Sequence, residues 1–88
     1  MKIKGEFTLR EVAGEILVIP VGTTALEFNG MIILNPVSKT IWECLQENTT
    51  AEQILCAVMD AFEVDVQQAR EDIAAFLDDL RSNHFLEE

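Results

Sequence analysis

The chain changes its side-chain period at one point, Asn35-Pro36, and this change limits the folds that are open to it. Before this point, apolar and polar residues alternate or apolar residues run on without interruption, as they do in strands. After it, apolar residues recur every three or four positions, as they do along one face of a helix. Strands followed by helices predict an α+β domain, in which a small antiparallel sheet packs on a cluster of helices.

Two strands are predicted at the start of the chain. Residues 7–13 alternate in polarity, and residues 16–19 are continuously apolar and rich in β-branched side chains. Gly14-Glu15 is the predicted turn between them. Pro20 ends the second strand, because proline has no N–H to donate to a ladder of hydrogen bonds.

A hairpin is predicted next, and it supplies the third strand. Its arms are residues 25–28, either a true strand or only a short bridge, and residues 31–34, which are apolar throughout. The pair between them, Asn29-Gly30, suits a type I′ turn, in which both central residues need a positive φ. The strand of residues 31–34 then leads directly into the first helix.

Three helices are predicted, each from its own start signal. Asn35 is a suitable N-cap and Pro36 a suitable first helical residue. Thr50 with Gln53 fits a capping box, and Asp65 caps the third helix. The apolar faces are Val37, Ile41, Cys44 and Leu45 on the first helix, Ile54, Leu55, Val58, Met59 and Phe62 on the second, and Val66, Ala69, Ile73, Phe76, Leu77 and Leu80 on the third.

The expected architecture is therefore one domain over residues 1–88. It is winged helix-turn-helix-like, with a three-stranded antiparallel sheet followed by three helices, and Phe85-Leu86 is an apolar tail able to fold back on the core. The longest apolar run, residues 16–21, is far too short to span a bilayer, and no signal peptide is apparent. We expect a cytoplasmic protein.

The charge of the chain excludes several classes of partner. Its formal net charge is −10, from six basic and sixteen acidic residues. Nucleic-acid phosphates need clustered Lys and Arg, and anionic membrane surfaces attract basic segments, so we expect neither partner. The third helix would be the recognition helix of a winged-helix regulator, but Arg70 and Arg81 are its only cations. A transcription regulator is therefore the least favoured alternative.

The residues needed for catalysis or metal binding are absent as a set. The chain has no Ser/His/Asp combination, no glycine-rich phosphate loop and a single histidine, His84. No Cys/His spacing matches a zinc site, so neither an enzyme nor a metal or other cofactor is expected. Cys44 and Cys56 fall on apolar helical stretches, and we expect both to be reduced thiols in the core.

The strand of residues 31–34 is a candidate edge of the sheet. Natural proteins protect such edges with lysine, proline or a bulge, and this strand carries none of them. An extended guest peptide could add itself to the edge as a further strand. Two alternatives remain open: the arm of residues 25–28 covers the edge, or a second copy of the chain does so in a homodimer.

The order of several short motifs resembles a known family. "LREVAGEILVIPVG" is followed by "FNGMIILN", then by "IW" in the first helix, "TT" before the second and "EVD" before the third. In this order they resemble the PqqD-like proteins, stand-alone recognition elements of ribosomal peptide natural-product pathways. The resemblance implies binding of the leader segment of a precursor peptide and presentation of its core segment to a modifying enzyme, often a radical SAM protein.

The resemblance also implies where the leader binds. It would pair with the third strand, which here is Met31, Ile32, Ile33 and Leu34, and lie in a cleft against the third helix, about residues 66–83. Helical spacing puts several side chains of that helix on one stripe, which we expect to form the other wall of the cleft. These residues are Arg70, Ile73, Ala74, Leu77 and Arg81. The competing hypothesis is a structural or oligomerisation module that dimerises through the same edge.

Overall fold

The computed structural model describes residues 1–28 and 30–88, so Asn29 of the predicted Asn29-Gly30 turn lies outside the described residues. The elements, in chain order, are β1 (Lys2–Ile3), β2 (Phe7–Val12), β3 (Glu15–Pro20), α1 (Thr24–Glu27), β4 (Ile32–Leu34), α2 (Pro36–Cys44), α3 (Ala51–Ala61), α4 (Val66–Ser82) and β5 (Leu86–Glu87).

The predicted fold class is confirmed. Strands β2, β3 and β4 form an antiparallel sheet in that order, and the three longer helices follow it. A two-stranded pairing of β1 with β5, not predicted, joins the two ends of the chain. The turn between β2 and β3 lies at Ala13 and Gly14, both with positive φ, one residue earlier than expected.

The predicted helix starts are confirmed by their caps. The Asn35 side chain accepts a hydrogen bond from the Ser38 N–H, and the Ser38 hydroxyl in turn accepts one from the Asn35 N–H. The corresponding reciprocal pair is present at Thr50 and Gln53. Asp65 accepts from two backbone N–H groups of the first turn of α4. Each cap satisfies donors that the helix itself leaves free, which fixes where the helix begins.

The core lies between the helices and the inner face of the sheet. Phe85, just after α4, is buried and stacks edge-to-face on Phe7 and on Phe28, with ring centroids 5.0 and 4.8 Å apart. Phe7 stacks in the same way on Trp42. The predicted return of the tail to the core is therefore confirmed. The buried residues of the hydrophobic core cluster are Val18, Leu34, Ile41, Trp42, Leu45, Ile54, Leu55, Val58, Ala69, Ile73, Leu77, Leu80 and Phe85.

Two sequence-based expectations are wrong. Residues 25–28 do not form a strand, because α1 occupies this connection and the Thr24 hydroxyl accepts a hydrogen bond from the Glu6 N–H. Cys56 is exposed rather than buried, while Cys44 is half-buried and packs against the core. Both cysteines are free thiols. Burial raises the pKa of the Cys44 thiol, and the neighbouring Glu43 carboxylate adds to the effect.

Candidate functional site

The direction of the main-chain groups in the sheet can be read from one hydrogen bond. The Val21 N–H donates to the Glu6 carbonyl at 3.0 Å, and these two residues are directly opposite in the continued β2–β3 register. Opposite residues of an antiparallel pair alternate between pairs that exchange hydrogen bonds and pairs that do not. Leu17 therefore directs its main-chain groups toward β2, whereas Ile16 and Val18 direct theirs toward β4.

The same alternation fixes the directions in β4. Ile32 pairs with Val18 and Leu34 pairs with Ile16, so these two residues of β4 bond to β3. Ile33 is opposite Leu17, whose main chain points the other way. The N–H and C=O groups of Ile33 consequently point outward from the sheet, at an edge that no described strand pairs with.

The side chains of β4 divide between two faces. Ile32 and Leu34 point inward, and Leu34 is only 4% exposed. Ile33 and Met31 are 65% and 55% exposed on the opposite side. The uninterrupted apolar run thus has one face in the core and one face that no described part of the chain covers.

A cleft of about 600 Å³ opens beside this edge, which is within the size range of small-ligand pockets. Its walls are the β4 region on one side and α4 on the other, and α2 contributes to its floor. The residues that line it are Phe28, Met31, Ile32, Ile33, Asn35, Val37, Ser38, Ile41, Asp72, Ala75, Phe76, Asp79, Leu80 and Asn83.

The α4 wall of the cleft is apolar in its middle and acidic toward both ends. Ala75 and half-buried Phe76 lie between Asp72 and Asp79 along the helix. The Asp72 carboxylate accepts a hydrogen bond from the Gln68 side chain at 2.8 Å. In the part of the chain that the structure describes, no basic residue lines the cleft, and neither carboxylate is in an ion pair.

The α4 residues that the sequence analysis assigned to this wall lie elsewhere. Arg70, Ile73, Ala74, Leu77 and Arg81 line a separate depression of about 250 Å³ between α3 and α4. The apolar stripe of α4 faces the core, so one flank of the helix faces α3 and the other faces the sheet. The predicted residues therefore lie on the α3 flank of α4, whereas the cleft beside β4 lies on the opposite flank. Their contact with a guest peptide stays a prediction.

Both arginines among these predicted residues already form ion pairs with residues of the chain itself. Arg70 pairs with Glu52 of α3 at 2.9 Å. Arg81 pairs with Asp78 at 3.1 Å and with Glu88 at 2.7 Å. All these side chains are partly exposed, so the pairs add little stability, but they direct both arginines away from β4.

Most of the β4 residues that the sequence predicts to contact the leader lie at this cleft. Met31, Ile32 and Ile33 line the cleft, whereas Leu34 belongs to the core. The sequence analysis missed the acidic residues of the wall, Asp72 and Asp79. Their signal was present, since residues seven apart lie on the same flank of a helix, here the flank that carries Ala75 and Phe76.

Within residues 1–28 and 30–88, no three His, Cys, Asp or Glu residues group closely enough to hold a metal ion. None of the described helices combines the length and the apolar character needed to cross a bilayer.

Comparison with known proteins gives the family. The sequence model of the family described as "Coenzyme PQQ synthesis protein D (PqqD)" matches residues 15–86. The chain belongs to the PqqD family. The match contains β3, β4 and all three long helices, and therefore the whole cleft. No curated protein matches the chain.

A solved structure resembles this PqqD-family chain over almost its full length. It is TbiB1 in complex with the TbiA(beta) leader peptide. The TM-score is 0.72 at 25% sequence identity, and the alignment covers 99% of this chain and 95% of the other.

Proposed function

We propose that this protein binds the leader segment of a ribosomally made precursor peptide by strand addition at β4. It then presents the peptide to a modifying enzyme. The observation that carries the proposal is the outward-pointing main chain of Ile33, at a free edge that opens into a cleft. A peptide strand placed there gains main-chain hydrogen bonds from the edge and side-chain contacts from α4.

The comparisons support the same use of the domain. The solved structure of similar fold is of a protein bound to a leader peptide. The chain belongs to the PqqD family, and the matched residues 15–86 include β4 and the whole cleft. The overturned prediction for residues 25–28 also supports the proposal, because α1 there leaves the β4 edge without the internal strand that could have covered it.

The role we propose is non-catalytic, and the chemistry belongs to the partner enzyme. The cleft side chains are apolar apart from the amides of Asn35 and Asn83, the Ser38 hydroxyl and two carboxylates. These groups do not include a nucleophile paired with a base. Family resemblance makes a radical SAM maturase the enzyme to test first.

The direct experiment uses the precursor peptide encoded nearest to the gene for this protein. Its leader segment, labelled with a fluorophore, is titrated with the protein and followed by fluorescence polarisation. We expect a Kd in the micromolar range or below, which corresponds to about −8 kcal/mol or better. The core segment alone should not bind, and its binding as tightly as the leader would contradict the proposal.

The remaining alternative is a homodimer through the same edge. Two β4 strands could pair directly, because the edge that accepts a guest also accepts a second copy. Sedimentation of the protein with and without the leader separates the two uses. We expect a monomer that gains only the mass of the peptide. A dimer that excludes the peptide would favour the structural role.

A further inference from the structure

Acidic and apolar side chains follow one another in a fixed order along the α4 wall of the cleft, and this order limits which peptides fit. Asp72 and Asp79 line the cleft on either side of Phe76 along the helix. Along the helix axis, Asp72 is about 6 Å to one side of Phe76 and Asp79 about 4.5 Å to the other, at ~1.5 Å per residue. Same-face side chains of a strand repeat every ~6.8 Å.

These spacings are close enough for one strand face to match the wall. A guest side chain that packs on Phe76 has its same-face neighbours two residues before and two residues after it. In a guest strand that runs along α4, those neighbours reach the levels of Asp72 and Asp79. Lysine and arginine stems are long and flexible, so they can absorb a mismatch of a few ångströms.

The charges of the cleft agree with this match. Both carboxylates lack an ion-pair partner in the described chain, whereas the adjacent Asp78 already pairs with Arg81 on the other flank of α4. Arg70, the other cation of α4, pairs with Glu52. Acidic guest residues therefore find no free cation in the cleft, and the net charge of −10 repels them at longer range.

We infer that the cleft selects peptide segments in which an apolar residue is flanked, two positions away on each side, by lysine or arginine. The apolar side chain packs on Phe76 and Ala75, and the basic side chains pair with Asp72 and Asp79. This inference rests on the proposed function and adds to it the chemical class of the guest.

The test selects peptides from a displayed library of random linear sequences, using the wild-type protein as bait. The same selection is repeated on a charge-reversed variant, Asp72→Lys with Asp79→Lys. The matched control is Glu71→Lys with Asp78→Lys, which are also seven residues apart on α4 but do not line the cleft. Each double variant replaces two carboxylates with two ammonium groups, so both shift the net charge of −10 by the same amount.

We expect the wild type and the control to enrich the basic–apolar–basic pattern. The charge-reversed variant should enrich Asp and Glu at the same two positions. For the best wild-type peptide, synthesised with lysines or with glutamates at the two flanking positions, the lysine form should bind the wild type at least about tenfold more tightly. Circular dichroism and thermal unfolding confirm that each variant is folded.

The variant Ile33→Pro distinguishes the failure of this inference from the failure of the proposed function. Lysine and glutamate forms that bind the wild type equally, and that both lose affinity for Ile33→Pro, would overturn the inference and leave strand addition intact. If the selected peptides bind Ile33→Pro as tightly as the wild type, both the inference and the proposed function are overturned. The same holds if the selection yields no binder that depends on Ile33. If the control variant enriches the same peptides as the charge-reversed variant, net charge alone determines which peptides bind. This result would also overturn the inference.

Discussion

Ile33 of β4 and Leu17 of β3 face each other across the sheet as a pair that exchanges no main-chain hydrogen bonds. This relationship leaves the Ile33 N–H and C=O directed outward. The Ile33 side chain lies on the face of the sheet away from the core, and the residue is 65% exposed. Leu34, the next residue, directs its main-chain groups toward β3 and is only 4% exposed. Strand addition at β4 depends on this alternation.

The alternation predicts different stability effects at two adjacent positions. Leu34→Ala should lower the free energy of unfolding by about 2–5 kcal/mol, because it removes buried methyl groups from the core. Ile33→Ala should lower it by less than about 1 kcal/mol, because the side chain is mostly exposed. Urea unfolding followed by circular dichroism measures both. Equal losses would mean that the assignment of the two faces is wrong.

The position of the α4 wall predicts different binding effects at another adjacent pair. Ala75 lines the cleft, and Ala74 lines the depression between α3 and α4. Ala75→Trp should weaken leader binding at least about tenfold, or ~1.4 kcal/mol, because the indole fills the space that the guest needs.

Ala74→Trp is the matched control, since the same side chain is added to the same helix one residue away. Both alanines are exposed, so the substitutions should leave the fold intact. Fluorescence polarisation with the leader peptide measures the Kd of each variant. A stronger effect at Ala74 than at Ala75 would move the guest to the α3 flank, where the sequence alone had placed it.

The two thiols should differ in reactivity in the native protein. Cys56 is exposed and should react with Ellman's reagent at the rate of an open thiol. Cys44 should react slowly, because it is half-buried and its raised pKa reduces the fraction of reactive thiolate. In Cys56→Ser, the fast phase should disappear and the slow phase should remain. Two fast phases in the wild type would contradict the observed burial of Cys44.

The edge itself can be tested by proline, which removes one N–H without a large change in side-chain burial. Ile33→Pro should weaken leader binding by at least about tenfold, or ~1.4 kcal/mol, while the protein stays folded. Ile32→Pro should instead destabilise the sheet, because the Ile32 N–H bonds to β3.

Glu11→Pro provides the matched control for the edge substitution. Glu11 lies on the other edge strand, β2, at an exposed position opposite Ile16, so its N–H also points outward. The substitution removes an exposed ion pair with Lys39, which adds little stability. Binding unchanged in Glu11→Pro and weakened in Ile33→Pro assigns the guest to β4, and the reverse result would assign it to β2.

Much of the fold could be predicted from the sequence because its signals are local. Asn35, Thr50 and Asp65 cap their helices through side chains that act within three residues of themselves. β3 ends at Pro20 as predicted, although the Val21 N–H still bonds to the Glu6 carbonyl beyond it. The region of residues 25–28 was misjudged because Asn29-Gly30 suits a hairpin turn, whereas the preceding residues form helix and one of them, Thr24, bonds to Glu6.

The site was predicted only in part, because one of its walls depends on tertiary arrangement. The unprotected edge of β4 is visible in the sequence as an apolar run without lysine or proline. The apolar stripe of α4 shows which face is buried, but both flanks of the stripe satisfy the same helical period. Only the packing of α4 against α3 decides that Arg70 and Arg81 face one way and Asp72 and Asp79 the other.

The central claim, strand addition at β4, is tested most directly by amide hydrogen exchange at Ile33, resolved by NMR with and without saturating leader peptide. In the free protein, the Ile33 amide should exchange rapidly, while the Ile32 and Leu34 amides are protected by their bonds to β3. In the complex, the Ile33 amide should become protected, because the guest strand accepts its hydrogen bond. An Ile33 amide that exchanges equally fast in the saturated complex would contradict strand addition at this edge.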